Sequence, residues 1–242
     1  AIELAAARVS AISPKQLAHR MGDALKMPQA TSRDADPRHR TLRAALAWSY
    51  EQLEPKQRRA LERLSVFVGG WSLEAAEAIG CDAEPAGEDA IESWEMLDLL
   101  SALVERSLVQ FEEGFSGEGR YSMLESMRRF AWDSISAADE RLRLQSTHAA
   151  WFADWVAHGA SSGVLDPERL ARMLAEHENL LAALDWSERT AASGDEAAHG
   201  RLSGMLSVLP RFWMAQGFFR LGLTRIDRAI ELFRSSEGTP AI

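Results

Sequence analysis

Arg38, His39, Arg40 and Arg43 place three arginines and an imidazole within six residues, a cationic group able to meet a phosphate. They gather where a helix is expected to begin, and there the helix dipole disfavours cations unless something nearby compensates. Two readings stay open: contact with phosphate or a nucleotide-binding domain, and a solvated basic face paired with linker acids such as Asp34 and Asp36. Glu176, Glu178 and Asn179 form a second polar group just ahead of an apolar run. Capping and solvation explain that group as well as a binding site does. His19, His39, His148, His158, His177 and His199 do not recur at metal-ligand spacing, and with Cys81 the lone cysteine they give no zinc site. Neither a Gly-x-x-x-x-Gly-Lys-Ser/Thr loop nor a Gly-x-Ser-x-Gly elbow occurs, so this chain is expected to be non-catalytic, with no cofactor of its own.

Charge narrows the choice of partner. Residues 90–125 hold eight acids (Glu92, Glu95, Asp98, Glu105, Glu112, Glu113, Glu118, Glu125) against Arg106 and Arg120, a net charge of −6 within a chain of net −9. Such a surface repels the phosphate backbone, and direct DNA binding is not expected. At 242 residues and 46% hydrophobic the chain can bury a substantial core. It has no apolar run near the ~20 residues that span a bilayer, and residues 1–8 lack the basic start and apolar centre of a signal peptide. A cytoplasmic protein without a membrane partner is the expectation, and a single cysteine suits that compartment.

The elements that must position these groups are mostly helical. Apolar and small residues run at helical spacing from the first position, without a cap, as if cut from a longer chain. Ser13 and Pro14 would start a helix through about Leu25, and residues 27–37 have linker chemistry. Leu42, Ala45, Leu46, Ser49 and Leu53 share one face of a helix from Thr41; Pro55 starts the next, with Leu61, Leu64 and Phe67 inward until Gly69 and Gly70 stop it. Ser72 caps a short helix to Ile79, and a helix over 91–106 buries Met96, Leu99, Leu100, Leu103 and Val104. Residues 107–111 and 120–123 alternate as two strands about a long hairpin tip, and the stretch Tyr121 to Ala131 runs from strand into amphipathic helix. Three helices and a hairpin are in winged-helix order. Beyond Asp139 only helical stripes remain, over 149–156, 170–186, 202–213 and 221–233, a run of hairpins that suggests a solenoid. Trp213, Gly217, Ala229 and Phe233 stand at tetratricopeptide offsets, with Pro240 after them and Arg220 where that pattern expects tyrosine. This spacing predicts a buried Trp213 and an exposed Arg220. The fold class is therefore mainly α: a winged-helix domain with a small β-hairpin (38–137) followed by a tetratricopeptide-like solenoid (138–242), after a helical segment and linker (1–37).

Five stretches in order carry a resemblance: Ala1-Ile-Glu-Leu-Ala-Ala-Ala-Arg-Val9, Arg38 to Tyr50, Leu64 to Trp71, Met123 to Ala131 and Glu176 to Trp186. Together they resemble the bacterial STAND class of signal-transduction ATPases, of the LuxR-type and antibiotic-pathway regulator kind, and more remotely the NB-ARC proteins. The resemblance implies an upstream nucleotide-binding domain holding ATP or ADP with Mg²⁺, then the end of a helical domain, a winged helix that relays nucleotide state, and repeats that take an inducer or protein partner. The upstream domain would be this chain's own partner. In NB-ARC relatives a Met-His-Asp motif closes the winged helix on the nucleotide; Met123, Leu124 and Glu125 align with it, and Leu124 cannot donate a hydrogen bond to phosphate. The residues themselves read differently: Met123 and Leu124 as core, Glu125 as a helix cap. The alternative function is a DNA-binding winged-helix transcription factor with helix 91–106 in the major groove.

Overall fold

The computed structural model describes residues 37–84, 87, 89–113, 119–158 and 166–237, with the side chains of 37–41, 236 and 237 outside the description. The expected helix over 14–25, the expected linker over 27–37 except Pro37, the hairpin tip over 114–119 except Gly119, and Pro240 therefore lie outside the described residues. The chain divides into two compact units, Ala1–Leu53 and Glu54–Ile242. In the first, α1 spans Pro37–Glu51, so it begins four residues before Thr41, and Arg38, His39 and Arg40 fall in its first turn. Pro37 suits that position because its missing N–H would have no helical acceptor there.

The second unit opens with α2 (Pro55–Leu64), where proline again sits at the first position and Gln57 Oε1 accepts from the Glu54 N–H at 3.2 Å. Leu61, Leu64 and Phe67 are all fully buried, although the helix ends at Leu64 rather than at the glycines. Gly69, at φ +90°, lets the chain turn into a strand absent from the sequence expectation, β1 (Gly70–Ser72). Ser72 then caps α3 (Leu73–Gly80), its Oγ accepting from Ala75 N at 3.2 Å.

A single-turn 3₁₀ segment (Ser93–Glu95) precedes α4 (Met96–Glu105), so the expected helix over 91–106 starts later: Glu95 Oε2 accepts from Glu92 N at 3.0 Å and fixes the entry. Met96, Leu100 and Leu103 are buried, while Leu99 and Val104 are only half-buried. Ser107, at φ +59°, ends α4 with Leu108 N donating to Leu103 O at 3.0 Å, and that turn delays the strand expected at 107. β2 is Gln110–Glu113 and β3 is Gly119–Ser122. The antiparallel sheet has order β1-β3-β2, with Trp71 and Phe111 both in register with Tyr121. The order α2-β1-α3-α4-β2-β3 is that of a winged helix, and α5 (Glu125–Ser134) follows it.

Five helices complete the unit: α6 (Ala138–His158), α7 (Pro167–Ala175), α8 (His177–Ala192), α9 (Glu196–Ala215) and α10 (Phe219–Glu237). The helical stripe expected over 170–186 is divided at Glu176, which separates α7 from α8. Short turns at Gly194 (φ +91°) and Gly217 (φ +76°) fold α9 back on α8 and α10 back on α9. Trp213 is 1% exposed, and a Cβ on Gly222 would stand 3.1 Å from its Cε3, so α10 lies close across the indole. Arg220 is exposed, as the spacing requires. The long α6 packs against α3 on one side and α8 and α9 on the other, which makes it the seam between the sheet-bearing layer and the hairpins.

Candidate functional site

Two polar side chains sit where apolar stripes should be. Leu144, His148, Phe152 and Val156 form the inward stripe of α6, and Asn179, Ala183 and Leu184 that of α8; all of them are buried. Buried amides and imidazoles need partners, and these two find them at the seam. Asn179 Oδ1 accepts from Val68 N at 2.8 Å and lies 3.4 Å from His148 Nε2. Its Nδ2 donates to Gly70 O at 2.7 Å and to Glu176 Oε2 at 2.8 Å. One amide thus satisfies backbone groups on both sides of the Gly69–Gly70 turn.

The network continues to the sheet. Arg120 of β3 pairs with Glu176 Oε1 and donates to Ala175 O at 3.1 Å, which holds the α7–α8 break against the strand. A Cβ on Gly70 would meet Tyr121 O at 2.9 Å and the Arg120 guanidinium at 3.3 Å, so glycine is required by close approach. Glu178, by contrast, is exposed. Solvation therefore accounts for Glu178 alone; Glu176, at the cap position of α8, and Asn179 are structural, buried at 6% and 0% exposure. Phe67 stacks on Trp71 (centroids 5.2 Å apart) and meets His148 and Phe152 edge-on, giving the imidazole an apolar wall. Burial pushes the His148 pKa down to about 4, outweighing the Asn179 hydrogen bond that raises it, so the ring is neutral near pH 7. With Asn179 Oδ1 as acceptor, the proton belongs on Nε2.

A second junction lies at the start of α6. Arg63, 3% exposed, forks onto Asp82 (Nη2 to Oδ1, 2.7 Å; Nη1 to Oδ2, 2.9 Å), donates to Gly80 O at 3.0 Å, and reaches Glu140 of α6 through Nε at 2.9 Å. Hydrogen bonds from Arg63 hold the Asp82 carboxyl down at about 2 against the opposing effect of burial. Neighbouring Cys81 is raised to about 11 by burial, which keeps it a thiol.

Met123, Leu124 and Glu125 fall between β3 and α5. Met123 is buried, as expected of a core residue. Leu124 is 58% exposed, which corrects its placement in the core: it occupies the cap position of α5 and points outward. Glu125 does not cap the helix either; it accepts from Arg128 Nε at 2.7 Å and Arg129 Nε at 2.6 Å one turn on. Burial opposes its charge, yet the two arginines outweigh burial and hold its pKa below the ordinary range. The side chains of Arg38, His39 and Arg40 lie outside the described residues.

The outward face of α4 and its entry carries Glu92, Trp94, Leu97, Asp98, Ser101 and Glu105, all exposed. Trp94 Nε1 donates to Glu92 Oε2 at 3.0 Å. In the hairpins, a cleft of about 850 Å³ opens between α8, α9 and α10, with Glu196, His199, Arg228 and Glu231 among its walls. Among the described residues no three His, Cys, Asp or Glu side chains group as metal ligands, and no helix is long and apolar enough to cross a membrane.

No family model matches the chain, and no solved structure matches it. Over 235 residues, 96% of its length, it is 32% identical to a Mycobacterium tuberculosis protein named "Putative HTH-type transcriptional regulator", and a Mycobacterium bovis protein of the same description matches equally. The chain spans about a quarter (25%) of the length of these curated relatives. An uncharacterized M. tuberculosis protein is 32% identical over 140 residues, 58% of this chain and 34% of that protein. A likeness to transcriptional regulators thus runs through both the sheet-bearing layer and the hairpins.

Proposed function

We propose that this chain is a non-catalytic regulatory segment of a STAND-type transcriptional regulator, in which the winged helix relays nucleotide state and the helical hairpins take up an inducer or protein partner. The observation that carries the reading is the Arg120–Glu176–Asn179–His148 network. It fastens the α7–α8 break to the sheet through charged and amide hydrogen bonds, so a displacement of the hairpins acts on β1 and β3 directly. A ligand favouring one arrangement of the hairpins would shift the whole assembly by its differential affinity. The cleft between α8, α9 and α10 has the size of a small-molecule site and is the place for such a ligand. ATP or ADP with Mg²⁺ would belong to an upstream nucleotide-binding domain, the intramolecular partner of this segment.

The competing reading, a DNA-binding winged helix, draws on the HTH-type name of the relatives. The face of α4 that would enter the major groove offers Glu92, Asp98 and Glu105 to phosphate, which opposes it. Two experiments test the proposal. Salt-titrated binding of the 242-residue chain to duplex DNA should show nothing tighter than about 10⁻⁴ M at physiological salt, and submicromolar sequence-dependent binding would establish the competing reading. In the regulator that contains the segment, Asn179→Ala should change promoter output about tenfold while ATP and ADP still bind, the effect of roughly 1.4 kcal/mol of lost coupling. Unchanged output would remove the relay.

A further inference from the structure

The inner side of α10 is packed along Gly222, Arg225 and Ala229. Gly222 lies against Trp213, Arg225 pairs with Asp185 and with Glu188 at 3.0 Å, and Ala229 is buried. Its outer side carries Phe219, Leu223, Ile226 and Ile230 at successive intervals of four, three and four residues, a heptad seam with every position apolar. The spacing continues to Phe233, which already packs on the His199 ring. Phe219, Leu223 and Ile230 are 60%, 64% and 42% exposed, and Ile226 is half-buried. Four consecutive seam residues on one helix make a continuous apolar strip, whereas isolated exposed apolar residues are ordinary.

The charges beside the seam select its occupant. Arg220, Asp227 and Arg234 occupy the flanking e positions, and the g positions are the small Gly222 and Ala229. Arg220 and Asp227 are exposed, and neither side chain makes an ion pair among the described residues. A parallel pairing would set these charges against glycine and alanine and leave them unused. An antiparallel pairing centred on Ile226 would set Arg220 against the partner's Arg234 and Asp227 against itself. Moving the centre to lie between Leu223 and Ile226 resolves both conflicts. Phe219 then meets the partner's Ile230, Leu223 meets the partner's Ile226, and Arg220 faces the partner's Asp227 on both sides of a two-fold axis.

We propose that the outer face of α10 is a self-association surface: a second copy of this chain docks on it as an antiparallel helix pair, four apolar layers deep and sealed by two Arg220–Asp227 ion pairs.

Sedimentation equilibrium of the 242-residue chain tests this. A monomer–dimer equilibrium with a dissociation constant of about 1–100 µM is expected, the range of a small interface. Leu223→Glu should weaken it at least about 100-fold by placing a carboxylate in the seam, with circular dichroism unchanged because Leu223 is exposed. Arg220→Asp alone and Asp227→Arg alone should each weaken the dimer about tenfold by setting like charges opposite one another, while the double variant should return to within about threefold of the parent. A chain that stays monomeric at about 1 mM, well above that range, would overturn the proposal. So would a dimer in which the double variant is no better than the single ones, since non-specific apolar association does not recognise a charge exchange.

Discussion

The two junctions along α6 hold the same layers together by different chemistry. At the start of the helix, Arg63 clamps Asp82 and Glu140 with charge, and those carboxylates keep about a quarter of their side-chain surface in water. At mid-helix, where His148 and Asn179 are almost wholly enclosed, the contacts at the centre are made by an amide and a neutral imidazole, and the charged pair Arg120–Glu176 lies towards the rim. The difference follows the cost of desolvation. Charge is used where water still reaches one partner, and neutral hydrogen bonding where it does not.

The strongest way to break the comparison is Arg63→Ala, which takes the shared buried cation from Asp82, Glu140 and the Gly80 carbonyl, leaving Asp82 with the Ile91 N–H and Glu140 with Arg143. It should cost about 3 kcal/mol in denaturant unfolding, the lower end for a buried ion pair because both acids are partly wet. Asn179→Ala leaves Val68 N–H and Gly70 C=O without their partner and should cost about 2 to 3 kcal/mol, with proteolysis or hydrogen exchange rising first at the Gly69–Gly70 turn. A loss below about 0.5 kcal/mol would mean that water replaces the amide and that the junction is not a fastening.

Acid should separate the junctions cleanly. The folded-state pKa of His148 lies near 4, below its unfolded value of about 6.5, so its contribution is complete above 6.5 and is lost as pH falls towards 4. Between pH 7 and 5 that amounts to about 2 kcal/mol. His177, whose pKa burial also lowers, adds to the same slope, so His148→Phe isolates the His148 share and should flatten the profile by that amount. The Arg63 junction should not respond in that window. Asp82, depressed to about 2, gives up its contribution only as pH falls from about 4 towards 2. An unchanged profile in His148→Phe would show that the imidazole is not the enclosed group described. The smallest effect is expected at Leu124: Leu124→Ala should alter stability by about 0.5 kcal/mol or less, where a core leucine would cost several times more.

Much of the fold was legible in the sequence because helices and their ends are local. Pro55, Ser72 and the stripe Leu61, Leu64, Phe67 state their roles without knowledge of any neighbour. The spacing of the last hairpin likewise placed Trp213 inside and Arg220 outside, since each depends only on the face of its own helix. Strand β1 was hidden: three residues that start at the second of two glycines and end at a capping serine have no period to read, and only β3 makes them a strand. Leu124 was misplaced for a similar reason, because an apolar residue at a strand–helix turn has no stripe to assign its side.

The candidate site shows the same division more sharply. A polar residue in an otherwise apolar stripe, such as His148 four before Phe152 or Asn179 four before Ala183, was a visible signal of a buried hydrogen bond. Its partners were not visible. Asn179 meets Val68 and Gly70 from more than a hundred residues away, and Arg63 meets Glu140 across 77. By itself the sequence determined which segments are helical, which faces are apolar and where acid outweighs base, because these follow from residue type and the period of the local backbone. Tertiary structure alone decided which polar groups are enclosed and with whom, because desolvation and hydrogen-bond partnership belong to the packed layers and not to any one segment.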